Sequence, residues 1–575
     1  MQPVGVWLVN ILGICHDVFI CSACVLVDGE IVAAITEERL DRNKRSRVFP
    51  TLAIKECLRI AGLSIDDLDE IAIGWNPARE AETTPAGFLE GRRWRSEHLT
   101  QVPSRLLSLS GRQASSAPSF EGLWDGGPRI TYVDHYLTHV ANGMFLSPFE
   151  SAAVLVVDGR GERHTGMMAR ASGAKIEVLA ENFFPHSLGL LYGAVTQFLG
   201  FRPDSDEWKV MALASYADAD NRYLPAMRDL VRIGGEGMFS LELGQFEFFN
   251  FWDRRMFSDR FVTTFGPPRA SNEPITQRHE EIAAALQRVF EDTMTTLLIE
   301  LHELTGLDHV VVNGGAFMNS VFNGKIADNT PFQESHIGSA PDDSGTSIGA
   351  ALYVHALRTG RRPMDDVPKH NYWGTEYTDE ECATAAVAFK LPHTVVDDPA
   401  ASAAQDLVDG KLIGWFQGRA EFGQRALGNR SILVDPRRTD AKDLVNAAVK
   451  FREPFRPFAP AILADRVTDY FDCPPGTEVP YMERVYMFKP ERRDEVPAVV
   501  HVDGSGRLGT VGEYSSPRFR ALIEHFDAMT GVPIVLNTSF NLNGEPIVDS
   551  PVDAIRTFYS TGLDVLYLGS ARIAK

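Results

Sequence analysis

Two stretches of this chain follow one plan. In the first, strand-like runs at Val4–Val9 and Ser22–Val27 lead to Asp28-Gly29, a pair suited to a hairpin turn, and Ile31–Thr36 answers as the next strand. In the second, the continuous apolar run Ala152–Val157 ends in Asp158-Gly159-Arg160-Gly161, and the later strand Val310–Val312 meets the pair Gly314-Gly315. Strand-hairpin units that recur with an Asp-Gly turn predict an internal duplication, and the helices between them predict α/β layering. Amphipathic helices are expected over Thr51–Ala61, closed by Gly62, and from about Ile275 to Thr305.

At 575 residues the chain exceeds what one core holds, and two large domains are expected. The charged, proline-punctuated stretch Arg358–Pro368 marks the boundary, giving domains of 1–360 and 370–575. The second opens with a helix near Ala400–Val408 and a strand at Leu412–Phe416. It later shows a strand at Val532–Leu536 and a helix from Pro551, with Ser550 as N-cap and Asp553 at its third position. Residues 80–128 are polar, serine-rich and aperiodic, and read as loop.

Charge then separates the halves. The net charge is -21, yet Arg419–Pro460 carries nine basic side chains against five acidic ones. An acidic protein that handles an anion needs such an island against its own field. Arg419, Arg425, Lys450, Arg452 and Arg456 stand among glycines and prolines, not at helical intervals, a pattern suited to a cleft gripping phosphate oxygens. The overall charge argues against nucleic-acid and anionic-membrane partners. The apolar N-terminus lacks a basic leader region and is interrupted by Cys15, His16 and Asp17, so the cytoplasm is the expected compartment.

His135 and His139 fall one helical turn apart on one face, a metal-ligand spacing that also occurs in purely structural helices. With Asp158 at a strand end and Asp343 in a turn before a small-residue helix, they would form a mixed N/O set suited to Fe(II), Mn(II) or Zn(II). Gly159, Gly161, Gly314 and Gly315 would let backbone N–H groups approach phosphate. With the duplicated strands they point to the actin/Hsp70/sugar-kinase architecture. His16, beside Asp17, reads equally as a general base for a hydroxyl or as part of a capping pair. The phenylalanine-rich stretch 239–257 reads first as core and second as a contact for an apolar acceptor. Cys21 and Cys24 have no second C-x-x-C and read as small buried strand residues.

An ordered set of motifs then carries a resemblance over nearly the whole chain. It runs from His16-Asp17 with Glu37–Arg39, through HYLTH (135–139), VDGRGE (157–162), EWKVMALA (207–214), GGAFMN (314–319) and DDSGTSIGAA (342–351). It continues through YWG (372–374), QGRAEFGQRALGNRSIL (417–433), RPFAP (456–460), HVDGSGR (501–507) and NTSFNLNGEPIV (537–548). In this order they resemble the O-carbamoyltransferase family of antibiotic and nodulation-factor biosynthesis. The resemblance implies an actin-like transfer domain followed by a YrdC-like domain. The latter converts carbamoyl phosphate and ATP, with Mg2+, to carbamoyl-adenylate and pyrophosphate.

By the same resemblance Arg425, Lys450, Arg456, Arg507 and Ser539 occupy anion-gripping positions, Lys450 and Arg456 being catalytic. Lys209, Asn319, Arg419, Arg452 and Asn537 join them as cofactor contacts. His135, His139, Asp158 and Asp343 would hold a divalent metal, Fe2+ in the family's best-known relatives, and His16 with Asp17 would assist the attacking hydroxyl. The expected acceptor is a small hydroxylated natural product, and a homodimer is one assembly open to the chain. A tRNA threonylcarbamoyl-transfer enzyme and an actin-like metabolite kinase are the alternatives. Net charge opposes the first, and the basic island is unexplained by the second.

Overall fold

The computed structural model describes residues 9–575 except 17, 19, 80–101, 104, 108, 110–126, 236, 250–253, 365, 451–454 and 457, and the backbone alone at Lys450. It divides into two compact units. The first comprises Met1–Glu37, Ser46–Met318 and Ile326–Val367, and the second Glu38–Arg45, Asn319–Lys325 and Pro368–Lys575.

The duplication is visible in the sheets of the first unit. Strands β1 (Asn10–Cys15), β2 (Ser22–Val27), β3 (Glu30–Thr36), β4 (Glu70–Ile73) and β5 (Arg129–Tyr132) lie in the order β3-β2-β1-β4-β5. The first three are mutually antiparallel, and β4 and β5 run parallel to β1. Strands β6 (Ser151–Val157), β7 (His164–Ser172), β8 (Lys175–Phe183), β9 (His309–Asn313) and β10 (Glu334–His336) repeat this as β8-β7-β6-β9-β10, with the same senses. This is the duplicated actin-like plan. Asp28 and Gly29 turn the first hairpin with φ of 53° and 90°, the left-handed pair a two-residue loop requires.

The first strand differs from expectation. Of Val4–Val9 only Val9 lies among the described residues, and the strand is Asn10–Cys15. The run is apolar throughout, so hydrophobicity could not set its bounds. Pairing with β2, from Asn10 opposite Val27 to Cys15 opposite Ser22, sets them instead. Residues 80–126 fall almost wholly outside the described set, and the few described, 102, 103, 105–107 and 109, are helical and not loop, with Val102, Leu106 and Leu107 buried. The phenylalanine stretch reads as core where described: Phe239, Phe246 and Phe257 are buried, and the rings of Phe246 and Phe257 pack against Phe261. Cys21 and Cys24 are buried free thiols. Among the described residues no helix is long and apolar enough to cross a membrane.

Four helices matter for the site: α1 (Thr51–Ala61), α2 (His135–Phe145), α3 (Gln277–Thr305) and α4 (Thr346–Thr359). Helix α3 starts at Gln277, not Ile275, because Thr276 and His279 cap each other's backbone there. Helix α2 follows the first sheet but packs on β6 and β9 of the second, whereas α4 follows the second sheet but packs on β1, β2 and β4 of the first. The two helices cross where Gly349 meets the backbone of Thr138. A Cβ on Gly349 would lie 1.9 Å from the Thr138 carbonyl oxygen, and a backbone atom cannot swing aside. Gly349→Ala is expected to cost about 1–3 kcal/mol by forcing the helices apart. An unchanged denaturant midpoint would show the crossing to be looser than this contact implies.

The second unit is built on one mixed sheet of ten strands. In spatial order they are Thr394–Val395, Ala571–Ala574, Val565–Leu568, Ile413–Phe416, Arg430–Val434, Ile534–Ser539, Ala459–Leu463, Ser505–Val511, Arg484–Phe488 and Phe471–Asp472. The helices Pro399–Val408 and Pro517–Thr530 pack together on it over a core containing Trp415, Phe416 and Phe526. The strand expected at Val532–Leu536 extends to Ser539, because it pairs on both sides, with Arg430–Val434 and Ala459–Leu463. Asn537 and Ser539 therefore share one face of a central strand. Ser550 accepts the Asp553 N–H in the expected cap.

Candidate metal centre and anion site

The crossed helices of the first unit deliver four ligands to one point. His135 opens α2 and His139 lies one turn on; Asp158 directly follows β6, and Asp343 opens the 3-10 turn Asp343–Gly345 that leads into α4. One ligand atom from each lies within 4.8 Å of all the others. His139 Nε2 is 3.1 Å from Asp158 Oδ2 and 3.2 Å from His135 Nε2, and His135 Nε2 is 3.3 Å from Asp343 Oδ1. A cation bound at ~2.1 Å separates neighbouring ligand atoms by about this much.

The surroundings fix the direction of each donor. His135 Nδ1 lies 3.1 Å from the Gly74 carbonyl oxygen, which can only accept, so Nδ1 carries the proton. His139 Nδ1 donates to Asn313 Oδ1 at 2.8 Å, and the Gly314 N–H marks the same atom as oxygen by donating to it. Both Nε2 atoms thus face the carboxylates. Asp158 Oδ1 accepts from the Gly159 and Gly315 N–H groups, while buried Oδ2 has no hydrogen-bond donor and points at the imidazoles. These bonds hold both imidazoles and the Asp158 carboxylate in the orientation a metal ion requires.

Charge tells the same story. Burial pushes the His135 pKa down, but the carboxylates of Asp158 and Asp343 outweigh it and raise it to about 10. Burial likewise raises the Asp343 carboxyl, and hydrogen bonds to His135 and His139 more than reverse that, holding it well below the usual range. The cluster needs positive charge at its centre, as protons or as a metal ion. Asn313→Leu should weaken metal binding by about 10–100-fold by releasing the His139 tautomer. Elemental analysis after dialysis at graded metal concentrations would read this, and equal retention would exclude the role.

The remaining sequence-chosen residues of this unit stand as follows. His16 is buried at the end of β1, its ring centroid 5.6 Å from that of Phe49. The preceding Cys15 thiol donates to the Asp343 carbonyl at 3.2 Å, so this strand end abuts the ligand set. Asp17 lies outside the described residues. Gly314 has φ of 96°, and a Cβ there would lie 2.3 Å from the Val157 carbonyl oxygen. At Gly161 it would meet the Tyr136 ring, at Gly315 Asp158 Oδ1, and at Gly159 nothing within 4 Å. Three of the four glycines therefore permit close packing about Asp158. Lys209 pairs with Asp206 at 3.2 Å, over the Phe201 ring.

In the second unit the basic island separates into two kinds of side chain. Arg437 and Arg438 pair with Asp435 and Asp440. Fully buried Arg430 donates to the carbonyls of Gln417, Asn429, Thr375 and Gly418 and lies over the Phe416 ring. Arg419 donates to the carbonyls of Trp373 and Gly374. Those residues hold the fold. Arg425 is almost buried, with Nη1 donating to the Tyr481 carbonyl at 3.0 Å.

Arg507 differs from all of these. Its Nε is buried without a hydrogen-bond partner, and no carboxylate pairs with it among the described residues. Burial, and then the Arg425 charge, push its pKa down to about 9. A buried cation facing another cation without a counter-charge is costly, and an incoming anion removes the cost. Ser539 Oγ donates to Asn541 Oδ1 at 2.6 Å, and Asn537 Nδ2 to the Ala426 carbonyl at 3.1 Å. Asn319, in this unit, caps a short turn through the Phe322 N–H. Arg456 has a buried Nε, whereas the Lys450 side chain and Arg452 lie outside what is described.

Sequence reasoning gave no role to Asn313 or His501. Asn313 had one signal, its place just before the Gly314-Gly315 pair at a strand end; His501 opens HVDGSGR but has no spacing partner.

Comparison with known proteins adds the family. The sequence matches the models described as carbamoyltransferase N-terminus over residues 10–352 and carbamoyltransferase C-terminus over residues 404–575. An uncharacterized protein of Synechocystis sp. is 36% identical, covering 99% of this chain and 97% of its own. Nodulation protein NolNO of Sinorhizobium fredii is 36% identical over 97% of this chain and 79% of its own. Nodulation protein U of Rhizobium tropici is 28% identical over 91% and 89%. Among solved structures, T. kodakarensis HypF gives a TM-score of 0.35 at 12% identity, over 61% of this chain and 48% of its own, too slight a likeness to bear on function.

Proposed function

The chain belongs to the carbamoyltransferase family and is a carbamoyl-transferring enzyme, and from that premise we propose an ATP-dependent O-carbamoyltransfer in two steps. The second unit converts carbamoyl phosphate and ATP into carbamoyl-adenylate with release of phosphate and pyrophosphate. The first unit then passes the carbamoyl group to a hydroxyl of a small natural product. The observation that carries this reading is Arg507, a half-buried guanidinium with its Nε enclosed, beside Arg425 and without a counter-charge among the described residues.

Both substrates of the first step are phosphate anions. Guanidinium groups fixed before substrate arrives stabilise charge developing on the departing phosphate without reorganising. Arg456 and Ser539 join this pocket in the proposal, and the family resemblance assigns Lys450 and Arg452 to the same chemistry. In the second step, a divalent cation held by His135, His139, Asp158 and Asp343 would supply Lewis-acid stabilisation of the leaving adenylate. Iron is the family-implied choice, and two imidazoles with two carboxylates suit it. His16 takes the proton of the attacking hydroxyl.

The test is incubation with ATP, carbamoyl phosphate and a panel of hydroxylated antibiotics, following pyrophosphate and the mass of the acceptor. Pyrophosphate release and an acceptor heavier by one carbamoyl group are expected. Carbamoylation that proceeds without ATP would overturn the adenylate route.

A further inference from the structure

Atom balance demands a participant that the two-step scheme leaves unnamed. Carbamoyl-adenylate and pyrophosphate together contain all the phosphate of ATP and none from carbamoyl phosphate. The carbamoyl phosphate must therefore lose its phosphate to water, giving carbamate, whose oxygen then displaces pyrophosphate at the α-phosphorus. Something must take a proton from that water. Resting on the proposed function, we infer that His501 of the second unit is that base, acting through Nε2.

The geometry places it beside the anion site. His501 precedes the strand Ser505–Val511, on which Ser505 and Arg507 share a face. Two bonds fix it to that face: its N–H donates to the Ser505 carbonyl at 2.8 Å, and its Nδ1 lies 3.0 Å from Ser505 Oγ. The Gly504 N–H closes the turn by donating to the His501 carbonyl at 3.0 Å. With both backbone and ring tethered, Nε2 remains buried and without a hydrogen-bond partner among the described residues.

The charged neighbours assign the tautomer. Burial most of all disfavours a charge on His501; it outweighs Asp503, which favours one, and with Arg507 and Lys442 adding to it the pKa is held down at about 4. Lys442 itself donates to the adjacent Val500 carbonyl at 2.7 Å. Beside two cations an electron pair is preferred to an N–H, so Nδ1–H donates to Ser505 and Nε2 keeps its lone pair. A bare imidazole so depressed is a weak base in the empty pocket. A bound phosphate dianion reverses the sign of the field and raises its basicity when it is needed.

The step balances. The water oxygen bonds to the carbonyl carbon as its proton passes to Nε2. The carbon–oxygen bond to phosphate then breaks, and the departing phosphate takes that proton from Nε2. Carbamic acid remains and loses its second water-derived proton to solvent as carbamate. His501 is unchanged, and no redox partner is needed.

The test uses a donor that bypasses the water step. Full-length wild type, His501→Gln, which keeps an amide donor, and Ser505→Ala, which frees the ring, are each given ATP with either carbamoyl phosphate or freshly dissolved ammonium carbamate. Wild type should release pyrophosphate with both donors. His501→Gln should lower kcat with carbamoyl phosphate by ~10²-fold or more relative to the carbamate-driven rate, with KM little altered. Ser505→Ala should shift the same ratio in the same direction by a smaller factor. Equal losses with both donors in both variants would overturn the proposal, as would a change confined to KM, which is the mark of simple phosphate binding. Wild type that releases no pyrophosphate with either donor would instead sink the two-step reading on which this rests.

Discussion

Arg507→Met should sharply lower pyrophosphate release and, at the same time, make the empty protein more stable. The two effects have one origin. Arg507 keeps a charge in the second unit, beside Arg425, with no hydrogen bond to its buried Nε and no counter-ion among the described residues. Methionine of similar length removes the unpaired charge, and relief of such a group is worth about 1–3 kcal/mol. The catalytic loss is expected at ~10²–10³-fold, that of one preorganised charge on a departing oxyanion.

The pH dependence fixes the sign. In the folded chain the guanidinium titrates at about 9, below its ordinary value, so the unfolded chain binds that proton more tightly. The destabilisation is fully present below about 9 and fades as pH rises from there towards the ordinary value. The stability difference between wild type and variant should therefore be constant near neutrality and shrink above pH 9. Thermal melts across that range, beside a pyrophosphate assay, give both readouts. A variant less stable than wild type at neutral pH would mean that Arg507 is a structural side chain like Arg430.

His139→Ala should have the opposite profile among half-reactions. Pyrophosphate release from ATP and carbamoyl phosphate should persist, because the ligand set lies in the first unit and the anion site in the second. Carbamoyl transfer should fall by more than the ~10–100-fold that loss of a mere outer-shell partner brings. Bound metal, measured by elemental analysis, should fall with it. The fully buried imidazole contacts both carboxylates and His135, so its removal leaves Asp158 and Asp343 facing a single histidine. Normal transfer by a metal-depleted variant would detach the cluster from the reaction.

Much of this was legible because the relevant signals are local. The strand ends at Asp28-Gly29 and Asp158-Gly159, the i,i+4 histidines and the Ser550 cap each declare themselves within a few residues. The first strand did not, because an unbroken apolar run carries no register until a partner strand supplies one. The basic island was only half legible. Charge counting cannot distinguish Arg425 from Arg430, whose guanidinium is absorbed by four carbonyls brought in by the fold. Arg507 was legible through family resemblance alone, since its isolation depends on the absence of neighbours, which no spacing rule encodes. Asn313 lies 174 positions from His139, and His501 gains its meaning from cations elsewhere in the fold.

The exchange of helices between the duplicated sheets has a mechanical consequence. Each of α2 and α4 is rooted in one half and rests on the other, so neither half can swing without turning about their point of contact. The ligand set is built at that fulcrum, on the first turn of α2 and the lead-in to α4. Displacement during any opening grows with distance from the pivot. Any turning about that pivot would move the outer rims of the two sheets more than the four donor atoms.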